Sequence, residues 1–342
     1  MGIGLPRVQR YGHIVTLLAI YWAAMPVSRV LVHHADGGFS ESPPLESISD
    51  LIEDPRQIVW LDVQDPNDED VELLRCEFGF HELALEDAVR RNQRPKVDLY
   101  DGYCFMVFYA VRRGRDDEIG LFVGTNYLVT VHAGPVSEID LTAERWRLNA
   151  DRLGHGIAVT VYSLLDAIVD GYFPLVDAIT EEVEEIEEAM FERGGEDRQK
   201  HVFAIKRELL NVRRVVAPER EVLNALIRRD EPVFGEQTLP YFQDIYDHLI
   251  RVLDAVDLAR EQLTSLLDAQ LSVVSNRLNT VMKRMAALST ILMSVNLVAA
   301  NYGMNFTVMP ELGWPWGYAW ALGLMVATGV ILALVFKRVD WL

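Results

Sequence analysis

Asn279, Met282, Met285, Ser289, Met293, Asn296, Ala300 and Gly303 follow one another at steps of three or four, the spacing that places residues on one face of an α-helix. That face mixes amide oxygens, a hydroxyl, thioethers and small residues. Within an apolar segment it either lines a watery path, where neutral oxygens hold a hydrated cation, or glues one helix to another. The length of the stripe favours the path, and both readings stay open at this point. A second set of oxygen donors is Glu181, Glu182, Glu184, Glu185, Glu187 and Glu188, among which Val176, Ile179, Val183, Ile186 and Met190 keep a 3-4-3-4 spacing. The acids are then the exposed side of an amphipathic helix. Solvation is their plain reading, and attraction of cations by crowded carboxylates is the functional one. Cys76 and Cys104 make no CxxC pair, so neither a zinc site nor a disulfide framework is encoded. With no Gly-rich phosphate loop, nucleophile elbow or His/Glu metalloenzyme spacing, no enzyme activity is expected.

The polar stripe lies in one of two uncharged stretches, Met285 to Pro310 and Leu312 to Phe336. Each exceeds the roughly 20 residues that cross a hydrocarbon core of about 30 Å, so two transmembrane helices are predicted, at about 285–304 and at 317–336. The connection contains Pro310, Glu311, Gly313 and Pro315 and reads as a tight external loop, 305–316. Lys283 and Arg284 precede the first span, Lys337 and Arg338 follow the second, and the loop has no Lys or Arg. The positive-inside rule therefore puts both chain ends in the cytoplasm, with 337–342 as a basic tail. Trp314, Trp316, Tyr318 and Trp320 crowd the start of the second span, where amphipathic rings anchor at headgroup level. Two spans cannot enclose a pore, so transport requires several copies around an axis.

From Tyr241 to Tyr302 there is neither glycine nor proline. A continuous helix there, at about 1.5 Å per residue, would be roughly 93 Å long, a stalk running into the first span. Leu249, Val252, Val256, Ala259, Leu263, Leu266 and Leu267 give it an apolar seam, which bundling of several copies would cover. Upstream, 154–240 reads as antiparallel helices. The acidic helix is ended by Gly194 and Gly195, and a returning helix, His201 to Ile227, turns Lys206, Arg207, Arg213 and Arg214 toward the acids. The first third has strand periodicity. Ile58 to Val63, Tyr103 to Val111, Ile119 to Val123 and Tyr127 to Val131 are β-branched or aromatic runs, with helical stretches at Glu72 to Phe78 and Glu82 to Arg91. A mixed α/β cytoplasmic domain over 25–153 is predicted. Residues 1–24 resemble the first regions of a secretory signal, yet export would contradict the basic flanks, so they read as an extension upstream of a true start at Met25.

The 342 residues carry 51 acidic and 32 basic side chains, a net charge of −19, with 50% hydrophobic residues. Met285 to Leu342 holds only Glu311, Lys337, Arg338 and Asp340 as charges, so the excess of acid lies entirely before it. An acidic body excludes nucleic-acid binding, which needs a basic face, and suits a water-exposed module with a membrane end.

Tyr302-Gly303-Met304-Asn305 closes the long helix at the external loop, and Met309-Pro310-Glu311-Leu312 follows. Here the sequence resembles the CorA family of magnesium and cobalt transport proteins. The likeness extends through Gln93-Arg94-Pro95-Lys96-Val97, Tyr162 to Phe173, Pro240-Tyr241-Phe242 and Tyr246-Asp247-His248, and covers roughly 25–342. The resemblance implies a homopentameric funnel in the inner (plasma) membrane, passing Mg²⁺, or Co²⁺ or Ni²⁺, passively inward under the membrane potential. It implies Gly303, Met304 and Asn305 as a filter for the hydrated ion, which suits a cation that sheds water reluctantly. Asn296 and Asn279 would then ring the pore deeper down, and Met282, Met285 and Met293 would be its apolar constrictions. Asn296 and Ala300 depart from the family's commoner threonine and glycine. The resemblance also implies regulatory Mg²⁺ bound by Glu86, Asp87, Asp166 and Asp244, closing the channel when cytoplasmic Mg²⁺ is high. Two rival readings are a zinc transporter of the same superfamily and a membrane-tethered sensor or scaffold without flux.

Overall fold

A computed structural model describes residues 28–34, 36–41, 48–149, 156–189, 196–228, 233–305 and 309–342. The expected upstream extension, Met190 and the Gly194-Gly195 helix end lie outside the described residues. The chain divides into two compact units between Leu263 and Thr264.

The first unit is built on β1 (Ser28–His33), β2 (Phe39–Glu41), β3 (Ile58–Gln64), β4 (Lys96–Tyr100), β5 (Tyr103–Arg112), β6 (Arg115–Gly124) and β7 (Tyr127–His132). They form one seven-stranded sheet in the order β2-β1-β3-β7-β6-β5-β4. Only β3 and β7 run parallel, with Leu61 opposite Val129. Tight turns at Asp101-Gly102 and Arg113-Gly114 fold β4 to β6 into consecutive hairpins, and both glycines take the left-handed backbone that such turns require. The central strands are buried along nearly their whole length, because helices cover both faces of the sheet. On one face lie α1 (Ile48–Glu53), α2 (Asp68–Phe78) and α3 (Glu82–Arg90), packed on Val59, Leu61, Phe105, Phe122 and Val129. The other face takes α4 (Ser137–Asn149), α5 (Ile157–Asp170), α6 (Tyr172–Ala189) and α7 (Glu196–Arg228).

Two buried polar clusters pin this arrangement. On α7, Glu219 is fully buried. It accepts the Tyr109 N–H at 2.9 Å and lies 2.9 Å from the Tyr172 hydroxyl, which also reaches the Tyr109 carbonyl. One carboxyl thus joins β5, α6 and α7, and burial pushes its pKa up to about 8. Between β3 and β7, His132 lies 3.1 Å from Asp62 through Nε2 and 2.7 Å from the Gly134 carbonyl through Nδ1. Burial pulls its pKa down, but the Asp62 carboxylate and the Gly134 carbonyl outweigh that and hold it above the ordinary value.

The 64-residue helix α8 (Leu239–Tyr302) begins in this unit. Its seam behaves differently from the sequence expectation: Leu249, Val252, Val256, Ala259 and Leu263 are buried inside the single chain. Tyr162 meets Tyr241 with ring centroids 5.1 Å apart, and Arg213 reaches Asp257 at 2.8 Å. The helices upstream therefore cover the seam, and Arg213 serves the stalk rather than the acidic helix. Glu182 of that helix is paired instead with Arg113, from the turn after β5.

The second unit is the remainder of α8, a 3₁₀ turn at Pro310–Gly313 and α9 (Gly317–Arg338). The apolar windows of α8 and α9 are each only 6% buried, against 44% for the comparably apolar stretch Ile157–Glu188. That stretch has its cover within the chain. Among the described residues the α8 and α9 windows have no such cover, and they match the expected spans.

Candidate ion pathway and metal sites

Helix α8 presents two faces in the second unit. Ala287 is fully buried, and Ile291, Ser294, Val295, Val298 and Tyr302 are partly covered. This is the side toward α9, where a Cβ on Gly329 would stand 3.6 Å from Val295 Cγ2. At 3.6 residues per turn, the stripe Asn279, Met282, Met285, Ser289, Met293, Asn296, Ala300 and Gly303 falls on the opposite side, and each of its residues is exposed. Met285 and Met293 are 66% and 73% exposed. The amides and thioethers are therefore not what holds α8 to α9. Hydroxyls nearer that contact are satisfied within their own helices: Thr290 donates to Ala286 O, Ser294 to Thr290 O and Thr328 to Leu324 O, all at 2.8 Å.

At the end of α8 the Gly303 N–H is shared between the Ala299 and Ala300 carbonyls, both at 3.1 Å. Met304 and Asn305 follow, both exposed. A Cβ on Gly303 would meet only those two carbonyl oxygens, at 3.5 Å, an ordinary contact. Among the described residues nothing demands glycine there. Gly317 is the opposite case, since a Cβ would lie 2.1 Å from Glu311 O, so glycine is what lets the loop close onto the start of α9. Trp314 and Trp320 stand 6.4 Å apart at that start.

The four expected regulatory carboxylates occupy different settings in the first unit. Glu86 and Asp87 sit on α3, whose start is fixed by the His81 ring accepting the Leu83 N–H at 3.2 Å. Glu86 pairs with Arg90 one turn on. Asp87 accepts from Lys96 Nζ at 2.7 Å, and the same ammonium lies 2.6 Å from Asp98.

Asp166 of α5 is gathered instead with Asp170 and His248, each contributing a ligand atom within 4.8 Å of the others. Asp244 adds a carboxylate 3.7 Å from His248 Nε2. Burial raises the Asp166 pKa, Asp170 and Asp244 add to the rise, and His248 and Arg145 oppose it. The His248 Nδ1 atom is buried without a hydrogen-bond partner. Two carboxylates and an imidazole form a donor set fit for a divalent cation, with Asp244 beside the ring: the oxygens suit Mg²⁺, and the nitrogen suits Co²⁺ or Ni²⁺ better. The family resemblance implies Asp166 and Asp244 but not Asp170 and His248. Their signal was present as two i,i+4 pairs, Asp166/Asp170 and Asp244/His248, each placing two ligands on one helix face.

The family model described as CorA-like Mg²⁺ transporter protein matches residues 55–338. The chain is 37% identical over 272 residues to the cobalt/magnesium transport protein CorA of Thermotoga maritima, covering 78% of each sequence. It is 26% identical over 317 residues to the protein of the same name from Methanocaldococcus jannaschii, covering 90% of this chain and 97% of the other. The solved complete structure of the CorA magnesium transporter from M. jannaschii superposes with a TM-score of 0.78 at 21% identity, over 92% of this chain and 98% of that one. The fold is thus shared from sheet to terminal apolar helices.

Proposed function

The chain belongs to the CorA family of Mg²⁺ transporters, and on that premise we propose that it is a membrane channel for Mg²⁺, with Co²⁺ as a second cargo. In this reading five identical copies surround one axis, and the bare stripe of α8 from Asn279 to Gly303 lines a watery path. The observation that carries it is the orientation of that stripe: its amides and thioethers lie opposite the α9 contact and are exposed. Asn305 and the Gly303 carbonyl would offer, five times over, neutral acceptors to a cation that keeps its water. Glycine at 303, undemanded within the chain, would let neighbouring backbones or the hydrated ion approach closely. Met282, Met285 and Met293 would form apolar rings that stop conduction by dewetting.

The basic residues Lys283, Arg284, Lys337 and Arg338 support cytoplasmic chain ends. Asp166, Asp170, Asp244 and His248, with Glu86 and Asp87, would bind the cation as a regulatory ligand, its charge cancelling carboxylate repulsion and favouring a closed state. Because α8 carries Asp244 near its start and the stripe near its end, one element links sensing to conduction.

The test is Mg²⁺ flux into proteoliposomes, with Co²⁺, Zn²⁺ and a proton gradient varied separately. Flux driven by an inside-negative potential, carried by Mg²⁺ and Co²⁺ and indifferent to the proton gradient, is expected. Proton-coupled Zn²⁺ flux would make the chain a zinc transporter, and no flux would leave the stripe as helix glue in a tethered sensor.

A further inference from the structure

The two groups of regulatory carboxylates differ in a way that the family reading does not anticipate. Asp166 sits where burial and neighbouring acids outweigh the nearby cations and raise its pKa. Asp87 already grips a strong cation. Lys96 Nζ stands 2.7 Å from Asp87 Oδ2 and 2.6 Å from Asp98 Oδ2, and 5.6 Å from the centre of the Phe105 ring. Its backbone is held in β4, opposite Val107 of β5. The ammonium is therefore fixed by two carboxylates, an aromatic face and a paired strand. Neighbouring Glu86 is matched as well, by Arg90. An oxygen pair that binds an ammonium at these distances is a fit donor set for a hard cation, and only one of the two cations can hold it at a time.

We propose that Lys96 is a tethered competitor for the divalent ion at Asp87. The metal takes Asp87 by displacing the ammonium, which remains charged and keeps Asp98 as its partner. This rests on the reading of Asp87 as a regulatory metal ligand and adds how its threshold is set. Without Lys96 the carboxylate would be unpaired and would bind the metal at lower concentration. With Lys96 each binding event includes the loss of one partly exposed ion pair. Asp98 acts in the opposite sense, because it shares the ammonium and weakens its hold on Asp87.

The experiment measures, on the full-length protein in lipid nanodiscs, the Mg²⁺ concentration giving half-maximal protection of the stalk from protease, with flux inhibition as a second readout. An exposed ion pair is worth about 0.2 to 1 kcal/mol. On that basis Lys96→Met, which keeps an unbranched side chain of similar length, should lower the midpoint roughly 1.4- to 5-fold. Asp98→Asn should raise it, and Lys96→Arg should leave it near the native value. Opposite shifts in Lys96→Met and Asp98→Asn exclude simple misfolding, which would move both the same way. Asp87→Asn separates the two levels. If it leaves the native midpoint unchanged, Asp87 is not a metal ligand and the functional reading of that site fails. If it shifts the midpoint while Lys96→Met and Asp98→Asn do not, the competitor proposal alone is overturned.

Discussion

Helix α8 passes through two regions that solve the same problem differently. Up to Leu263 its apolar residues are buried by helices of the same chain; Val256 and Leu263 have no exposed surface. Further on, Met285, Leu292, Met293 and Leu297 are each more than 60% exposed, although the two stretches have similar spacing. An apolar side chain at helical spacing thus says that a cover exists without saying which. In the first region the cover is covalently part of the protein; in the second it has to be lipid, another copy, or a path that water enters intermittently. Glycine repeats the lesson, since Gly317 is required by a carbonyl of its own chain and Gly303 by nothing among the described residues.

The largest expected effect lies in the second region. Asn305→Ala should reduce Mg²⁺ flux in proteoliposomes by at least about tenfold, because in the proposed pore it would remove a whole ring of acceptors. Gly303→Ala should lower flux while leaving the thermal midpoint of the chain unchanged, as its Cβ meets only ordinary contacts. Loss of folding in Gly303→Ala, or normal flux in Asn305→Ala, would break the contrast between the two regions.

Next is a paired substitution on the one helix. Val256→Asn places an amide in a fully buried seam and should cost about 3 kcal/mol or more in chemical unfolding of the first unit. Met285→Asn, at a 66% exposed site, should leave that unfolding curve in place. In the proposed pore it would wet an apolar ring and raise leak flux at high internal Mg²⁺.

A third prediction concerns pH. Glu219 has a folded pKa of about 8 against an ordinary value of 4.5. Burial outweighs the two donors on Glu219, the Tyr109 N–H and the Tyr172 hydroxyl, and favours its neutral form. The stability this provides is complete below pH 4.5, where both states hold the proton, and is lost as pH rises toward 8. Glu219→Gln, which imitates the neutral acid, should flatten that loss, on the order of a few kcal/mol across the window. A slope unchanged by the substitution would assign it elsewhere. The smallest effect is expected at His132, whose pKa is raised above 6.5. Its contribution is full below pH 6.5 and fades as pH climbs through the folded value, so His132→Gln should remove a shallow dependence on the alkaline side of Glu219's window.

Much of the fold could be read without coordinates. Strands β3, β5, β6 and β7 were legible because their β-branched and aromatic runs are buried on both faces. Three strands were missed for identifiable reasons: β2 is three residues long, β4 is a half-exposed edge containing Lys96 and Asp98, and β1 lies close behind the ambiguous opening segment. Of the candidate metal residues, Asp166 and Asp244 follow from the family resemblance, whereas Asp170 and His248 depend on α5 and α8 lying side by side. The basic residues expected to meet the acidic helix illustrate the limit, since Arg213 had an equally good partner in Asp257 and charge alone cannot choose.

What the sequence determined by itself are the properties that accumulate along a continuous stretch: two helices long and apolar enough to span a bilayer from uncharged length, and a long helix from the absence of glycine and proline. What the tertiary structure decided are encounters between distant stretches. They include the burial of the stalk seam, the meeting of Asp166 and Asp170 with His248, the grip of Asp87 and Asp98 on Lys96, and the isolation of Glu219 from water. Local propensity is summed residue by residue. Proximity instead depends on how α5, α7 and α8 pack on a sheet, and on which side chain that packing leaves without water or a counter-ion.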